Sequence, residues 1–413
     1  MTKKFALALL ALVASLAIGV TAAFAGAVRS SADPGITDKE IVIGATTPLS
    51  GPFSSVSPVT IGASAYFKHV SASGGVNGRK ITFKYLDDQY DPSKTVQLTR
   101  QLVEQDKVFA IFNSIGTEHN LAVRDYLNAN KVPQLFAASG STTLGRDGAQ
   151  YPSSIGFQPS YQAEGWVYGK YLARTRPGAK VAVLFQNDDY GKDLLGGLKR
   201  GLQRSKVKVV AAEPYEATAA DVASQVAKLK GSGADTFAIF AVGKFAIQAY
   251  VYANKLGWKP KLVVNNIVSS ASSVMGIAGE GGTNKLVNAS ISAVFLKDPT
   301  DPKWRNDSGI KLYRQILKKY APGANPEDPY HVYGMAAAYT LVEALKQAGK
   351  NPTRQSLVKA VTALNVTKNP FMIPGILIKT GAGDRFPIEQ MVLQRWQKGS
   401  WKSFGGLWGY RGA

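Results

Sequence analysis

The sequence predicts an α/β protein of two similar lobes, each a parallel sheet flanked by helices, joined by a hinge. From Lys39 onward, short β-branched segments alternate with amphipathic segments, a pattern typical of a parallel sheet covered by helices. The same order of segments begins again at Lys180, roughly 130 to 140 residues later. The 413 residues are enough for two domains that each bury a core.

The first unit contains four predicted strands with helices between them. Valine, isoleucine and aromatic residues mark the strands, and apolar residues at helical spacing mark the helices. In chain order the elements are strand 41–44, helix 59–70, strand 81–85, helix 92–103, strand 108–112, helix 119–130 and strand 132–136.

The second unit repeats this order. Its elements are strand 181–185, helix 192–203, strand 207–211, helix 220–230, strand 236–240, helix 245–255 and strand 262–264. Beyond Ser290 the pattern predicts helices over 307–320, 330–347 and 353–363, and a hairpin of strands 391–396 and 401–404. We expect a first lobe of residues 26–158 plus 290–372, and a second lobe of residues 159–289 plus 373–413.

Residues 1–25 have the features of a secretion signal. Lys3 and Lys4 precede an apolar run over 5–20, and Ala23-Phe24-Ala25 places small residues at a cleavage site. An uncleaved membrane anchor is the alternative, because residues 5–27 are just long enough to span a bilayer. We expect cleavage and a soluble, secreted or periplasmic protein. It would not be a lipoprotein, because the chain has no cysteine.

The composition excludes several classes of function. Without cysteine there are no disulfides, thiol nucleophiles or cysteine-based metal sites, and the three histidines are too scattered to suggest a metal site. The net charge of +21 favours an anionic partner. That partner is not expected to be a nucleic acid, because the basic residues occur in ones and twos, as at Lys199-Arg200.

The loops that follow the strands predict the position of a ligand site. Ligands of open α/β sheets bind where strands end and helices begin. In the first unit these loops bring Thr117, Ser139, Ser141 and Thr142, whose hydroxyls and neighbouring backbone N–H groups suit a carboxylate or another small anion. The alternative is plain helix capping. The matching loops of the second unit, 186–191, 241–244 and 265–269, bring an aromatic residue, a carboxamide and only a possible acid.

No enzyme motif accompanies these loops. The sequence has no Gly-x-Ser-x-Gly elbow, no His-Glu-x-x-His and no phosphate-binding P-loop. Asp87-Asp88 and Asp188-Asp189 could act as paired carboxylates, but adjacent side chains point to opposite sides, so we expect one buried and one solvated in each pair. Trp396, Trp401 and Trp408 could form a sugar- or membrane-binding platform, although terminal aromatics usually pack on a sheet.

Several short segments carry a family resemblance that spans essentially the whole expected mature chain. They are Ile43-Gly44, Leu49-Ser50-Gly51-Pro52, Gly74-Gly75-Val76-Asn77-Gly78, Asp87-Asp88, Asp91-Pro92, Asp188-Asp189-Tyr190-Gly191, Tyr330 and Tyr333-Gly334. In this order the chain resembles the periplasmic binding proteins of branched-chain amino acid ABC transporters, the Leu/Ile/Val-binding type with the type I periplasmic binding protein fold.

The resemblance implies roles for individual residues. By position, Thr117 and Thr142, with Ser139 and Ser141 beside them, would hold the carboxylate of the ligand. Tyr190 and Tyr330 would line the cleft. Asn266 falls where the family usually has a glutamate for the ligand's ammonium, and Val56 lies near the place of an expected aromatic residue. A neutral amide does not supply the charge-assisted bond that an ammonium requires.

The sequence therefore predicts an extracytoplasmic solute-binding protein of an ABC importer, with no catalytic residues, metal or cofactor. Its ligand would be an amino acid or a related carboxylate, and the departure at Asn266 keeps open aromatic or aliphatic acids, or amides, without an ammonium. The expected partners are this ligand and an ABC permease, and the expected state is a monomer. A ligand-binding sensor module and an extracellular hydrolase are the alternatives from other classes.

Overall fold

A computed structural model of the chain describes residues 33–410. The predicted signal peptide over residues 1–25 lies outside the described residues. The strands are β1 Glu40–Thr47, β2 Lys80–Asp87, β3 Ala110–Phe112, β4 Gln134–Ala137, β5 Ser154–Gly156, β6 Lys180–Gln186, β7 Lys208–Tyr215, β8 Thr236–Phe240, β9 Lys261–Val264, β10 Ile291–Val294, β11 Asn365–Val366, β12 Ile378–Lys379, β13 Gln390–Gln397 and β14 Ser400–Gly409.

Helices cover the strands on both sides, and short helical turns fill the segment between β9 and β10. The longer helices are α1 Pro58–Ala72, α2 Pro92–Glu104, α3 Thr117–Ala129, α4 Thr142–Arg146, α5 Tyr161–Thr175, α6 Asp189–Leu202, α7 Ala223–Gly231, α8 Lys244–Lys255, α9 Ser308–Tyr320, α10 Pro329–Gln347 and α11 Arg354–Val361.

The strands form two main sheets. The first has five parallel strands in the order β2-β1-β3-β4-β5. The second has seven strands in the order β14-β13-β10-β9-β8-β6-β7, and its β13–β14 hairpin is antiparallel. Both sheets carry the apolar residues expected of strands covered on two faces, and β3 and β8 are buried at every position. The predicted α/β class and the predicted hairpin are confirmed.

Two lobes can be named from these sheets. The first lobe consists of the five-stranded sheet with α1–α4 and α9–α11, and the second consists of the seven-stranded sheet with α5–α8. The expected boundary at residue 290 needs a correction, because β10 pairs with β9 and β13 in the second sheet. The chain returns to the first lobe only after Val294. The other expected boundaries remain a prediction.

Helix α5 was not predicted from the sequence. Gly165 and Gly169 lower the intrinsic helix propensity of this segment. In the fold these glycines face α6 and let the two backbones come very close. A Cβ atom at Gly165 would lie 2.2 Å from the carbonyl oxygen of Leu194, and one at Gly197 would lie 2.2 Å from that of Gln162. The contact fixes the relative position of two helices whose first turns face the cavity described below.

This close contact gives a prediction on stability. Gly197→Ala should lower the free energy of unfolding by about 1 to 3 kcal/mol, because the new methyl group meets backbone that must move. The neighbouring Gly196 is the matched control, since a Cβ there meets nothing within 4 Å. Gly196→Ala should stabilise the protein by about 0.5 to 1 kcal/mol. Urea unfolding of both variants checks the pair, and equal effects would refute the proposed role of the contact.

Candidate ligand-binding cavity

A cavity of about 930 Å³, including space open to solvent, lies between the two lobes. Clefts between domains are common places for sites that bind small organic ligands. Its wall is largely apolar and aromatic, with Val56 and Ile115 from the first lobe and Val242 from the second. Five tyrosines contribute rings: Tyr90, Tyr161, Tyr190, Tyr330 and Tyr333. Such a wall suits the hydrocarbon part of a ligand.

The start of α3 provides the polar end of the cavity in the first lobe. Gly116 and Thr117 both line the cavity, and no side chain caps the helix here. The first backbone N–H groups of a helix have no partner within the helix and carry partial positive charge. The Thr117 hydroxyl lies 2.8 Å from the Ser139 hydroxyl. This end can therefore offer several hydrogen-bond donors to an anionic group.

The other three predicted residues of the first lobe are buried deeper. Ser139 accepts a hydrogen bond from the backbone N–H of Ser141 at 3.1 Å. Both serines line a separate small cavity of about 190 Å³ instead of the main one. Thr142 lines neither cavity, and its backbone N–H donates to Asp193 of the second lobe at 2.7 Å. Of the four predicted hydroxyl residues, only Thr117 lines the main cavity, and direct ligand contacts by the others stay a prediction.

Tyr190 and Tyr330 line the cavity, and the hydroxyl group of each donates to a backbone carbonyl oxygen. The Tyr190 hydroxyl donates to the carbonyl oxygen of Ala241 at 3.1 Å, and that of Tyr330 donates to Ile267 at 2.5 Å. Burial raises the pKa of both phenols far above the physiological range. The two side chains therefore present neutral rings to the cavity.

Asn266 also lines the cavity, and it forms hydrogen bonds with a buried carboxylate. Glu164 of α5 is fully buried and accepts from the backbone N–H of Asn266 at 2.6 Å and from its side-chain Nδ2 at 2.5 Å. The Tyr168 hydroxyl donates to the same carboxylate at 2.6 Å. Burial raises the pKa of Glu164 to about 7, although these hydrogen bonds oppose the shift. Sequence analysis missed Glu164 because it missed α5.

Tyr90 and Asp298 are among the cavity residues that were not identified from the sequence. Tyr90 has a positive φ of 61°, and its ring lies between Phe53, 4.0 Å away, and His119, 4.2 Å away between ring centroids. Asp298 follows β10, where the chain leaves the second sheet. Its Oδ1 accepts from the backbone and hydroxyl of Thr300, and burial raises its pKa to about 6. Tyr90 follows β2, but its loop was not among those considered for the site, and the strand before Asp298 was not predicted.

The paired acids have structural roles. Asp88 is buried and accepts from the backbone N–H of Tyr90 and the hydroxyl of Thr95. Asp188 caps α6 by accepting from Gly191 at 3.1 Å. The expected division into one buried and one solvated acid does not hold for Asp188-Asp189, which are both partly exposed. None of the four acids lines the cavity.

The tryptophans do not form a platform. Trp396 and Trp401 are buried against each other, and the indole N–H of Trp401 donates to the carbonyl oxygen of Ser269. Trp408 packs against Trp166 with the ring centroids 6.4 Å apart. Within residues 33–410, no group of three or more His, Cys, Asp or Glu side chains is arranged to hold a metal ion. Over the same range, no helix has the length and apolar character needed to cross a bilayer.

Direct hydrogen bonds join the two lobes. Besides the contact of Thr142 with Asp193, the Thr143 hydroxyl donates to Asp189 at 3.1 Å. On another side, the Ser273 hydroxyl of the second lobe donates to Asp328, which caps α10, at 2.5 Å. The two lobes are therefore in direct contact in this structure.

Comparisons with known proteins agree with this geometry. The Leu/Ile/Val-binding protein homolog 1 of Brucella abortus (strain 2308) is 26% identical to this chain over 382 residues, which are 87% of this chain and 91% of the relative. An amino acid binding protein of Pseudomonas aeruginosa is 24% identical over 319 residues, covering 76% of this chain and 80% of that protein.

Solved structures share the fold. A branched chain amino acid ABC transporter protein from Thermus thermophilus with bound valine has a TM-score of 0.80 at 19% identity, covering 91% of this chain and 98% of that chain. An ABC transporter solute binding protein from R. palustris in complex with benzoate has a TM-score of 0.74 at 17% identity, covering 89% and 96%. The sequence profile described as periplasmic binding protein matches residues 40–400. Because this match extends over most of the sequence, the chain belongs to the periplasmic binding protein family.

Proposed function

We propose that the protein binds a small organic solute with a carboxylate and an apolar part in the cavity between its lobes, and delivers it to the permease of an ABC importer. Substrate binding for transport is the function of the family. The observation that carries the proposed ligand class is the uncapped start of α3 in the wall of a largely apolar cavity. We further propose that the protein acts outside the cytoplasm and as a monomer.

The carboxylate would bind at Gly116 and Thr117. A helix start of this kind favours an anion through its unpaired N–H groups and the helix dipole. The Thr117 hydroxyl adds a donor whose position is fixed by Ser139. In this orientation the apolar part of the solute points toward the tyrosine rings and toward Asn266.

Two classes of ligand fit this description. One relative binds valine and another binds benzoate, and each of these molecules combines a carboxylate with a hydrocarbon part. They differ at the other end, because only valine carries an ammonium. The residues at that end of the cavity, and above all Asn266, would therefore decide between the classes.

We propose binding without catalysis. The acids of the two Asp pairs do not line the cavity. Asp188 instead caps a helix, and Asp88 accepts hydrogen bonds in the turn before α2. Within residues 33–410, no histidine forms a hydrogen bond with the Thr117 hydroxyl. The arrangement of the cavity thus favours capture and release over covalent chemistry.

Thermal unfolding against a panel of solutes tests the proposed function. The panel contains amino acids, aromatic acids, aliphatic acids and the matching amides. A ligand at about 100 times its dissociation constant stabilises the folded state by about 2.7 kcal/mol, which is readily seen as a rise in melting temperature. Stabilisation by carboxylates supports the proposal. Stabilisation by amides or amines alone would contradict the proposed ligand class, and turnover of a bound solute would contradict binding without catalysis.

Substitution of Thr117 tests the proposed carboxylate end. Thr117→Val removes the hydroxyl and should weaken binding of a carboxylate ligand by about tenfold to a hundredfold, as expected for a hydrogen bond to a charged group. Thr117→Ser keeps the hydroxyl and should retain most of the affinity. Thr175→Val at an exposed position of α5 is the control. Isothermal titration calorimetry gives the affinities. An unchanged affinity of Thr117→Val would show that the ligand's carboxylate does not bind at Thr117.

A further inference from the structure

Glu164 contacts the cavity wall through Asn266. The glutamate is fully buried and is not part of the cavity wall, whereas Asn266 is. Both the backbone and the side chain of Asn266 donate to this carboxylate. The side-chain amide of Asn266 is therefore a direct hydrogen-bonded link between Glu164 and the cavity wall.

The donors at one oxygen of Glu164 are fixed. Oε1 accepts from the backbone N–H of Asn266, which is always a donor. It also accepts from the hydroxyl of Tyr168. That hydroxyl already accepts from the backbone N–H of Ala293 at 3.0 Å, so its own hydrogen is directed to Glu164. The backbone contact cannot reverse its direction, and the Tyr168 hydroxyl is placed to donate.

The contact at the other oxygen can reverse. When Glu164 is ionised, Oε2 must accept, so Nδ2 of Asn266 points inward as the structure has it, and Oδ1 is left for the cavity. When Glu164 is protonated, its O–H can donate to Oδ1 of Asn266, and the amide NH₂ group is left for the cavity. A flip of the amide by half a turn exchanges the two arrangements.

We propose that Glu164 is a positioning residue that determines which atom of Asn266 faces the ligand. Ionised Glu164 makes this wall a hydrogen-bond acceptor, which selects solutes with an ammonium or another N–H group at this end. Protonated Glu164 makes the same wall a donor, which selects solutes with an acceptor or no ammonium. The inference rests on the proposed function, because it assumes that the cavity binds a solute.

The surroundings of Glu164 allow both states near neutral pH. Burial raises its pKa to about 7. The titratable groups that face it are Tyr168 on its own helix and Tyr190 at the start of α6, and burial raises the pKa of both phenols well beyond this range. Among the ion pairs of residues 33–410, none includes Glu164. Its protonation is therefore free to respond to pH and to the ligand.

Glu164→Gln reproduces one of the two states at every pH. The glutamine carbonyl can accept from Asn266 N–H and Tyr168 as Oε1 does, while its NH₂ group donates to Oδ1 of Asn266. In this variant the amide NH₂ group of Asn266 should therefore face the cavity at every pH. It should behave at all pH values as the wild type behaves at low pH. Glu280→Gln, at an exposed position of the second lobe, is the matched control.

The first test needs no ligand. The side-chain amide signal of Asn266 in ¹⁵N-labelled protein, assigned by its absence in Asn266→Ala, is followed by NMR from about pH 5.5 to about pH 8.5. The signal of the wild type and of Glu280→Gln should move in one step with a midpoint near that pKa. The signal of Glu164→Gln should not titrate. A signal that is constant in the wild type overturns the proposal even if no solute of the panel binds.

The second test compares solutes that differ only in the ammonium. Valine is paired with 3-methylbutanoate, and phenylalanine with 3-phenylpropanoate, so that the carboxylate is shared. The preference of the wild type for the amino acid, as a ratio of dissociation constants, should rise about tenfold or more from about pH 5.5 to about pH 8.5. In Glu164→Gln the ratio should stay at its low-pH value.

The outcomes separate this inference from the proposed function. If neither pair binds to the wild type, the proposed ligand class fails, and the NMR titration alone decides the role of Glu164. If the pairs bind with a ratio that does not change with pH, or if Glu164→Gln keeps the pH dependence, the inference fails while the proposed function stands. Should Glu164→Gln not fold, Asn266→Ala replaces it, because loss of the amide should also abolish the pH dependence.

Discussion

A single carboxylate without access to water connects the parts of the second lobe that form the cavity. Ionised groups in a protein interior are costly unless donors surround them. Glu164 of α5 obtains its donors from Asn266, after β9, and from Tyr168, which in turn accepts from Ala293 on β10. The loop after β9 therefore cannot shift alone without leaving a buried charge unpaired. The raised pKa of Glu164 reflects the part of the desolvation free energy that these hydrogen bonds do not offset.

The position of this carboxylate depends on the contact of α5 with α6. The glycines of the two helices bring their backbones together, and the first turns then carry Tyr161 and Glu164 on one helix and Tyr190 on the other. The rings of Tyr161 and Tyr190 meet edge to face, with centroids 5.0 Å apart. On the opposite side, the start of α3 supplies donors. The two lobes thus bring different polar groups to a largely apolar cavity, which favours one orientation of an asymmetric solute.

The sequence predicted the sheets well because alternating strands and helices leave a clear periodic pattern. Thr117, Tyr190 and Asn266 line the cavity, as expected for residues that follow buried strands, and Tyr330 was found through the family resemblance. Glu164 could not be identified from the sequence. The glycines that bring α5 close to α6 also lower the helix propensity of the segment, so the helix was not predicted. Thr142 follows a strand as Thr117 does, but the chain after β4 turns its backbone toward Asp193, a tertiary contact that no local pattern indicates.

A crystal structure of the protein with a stabilising solute from the panel would show where and how the ligand binds. We expect the solute to lie in the cavity between the lobes, with its carboxylate at Gly116 and Thr117 and its other end toward Asn266. A solute bound outside this cavity would contradict the assignment of the site. A solute in the cavity with its carboxylate at Asn266 would contradict the assignment of the two ends.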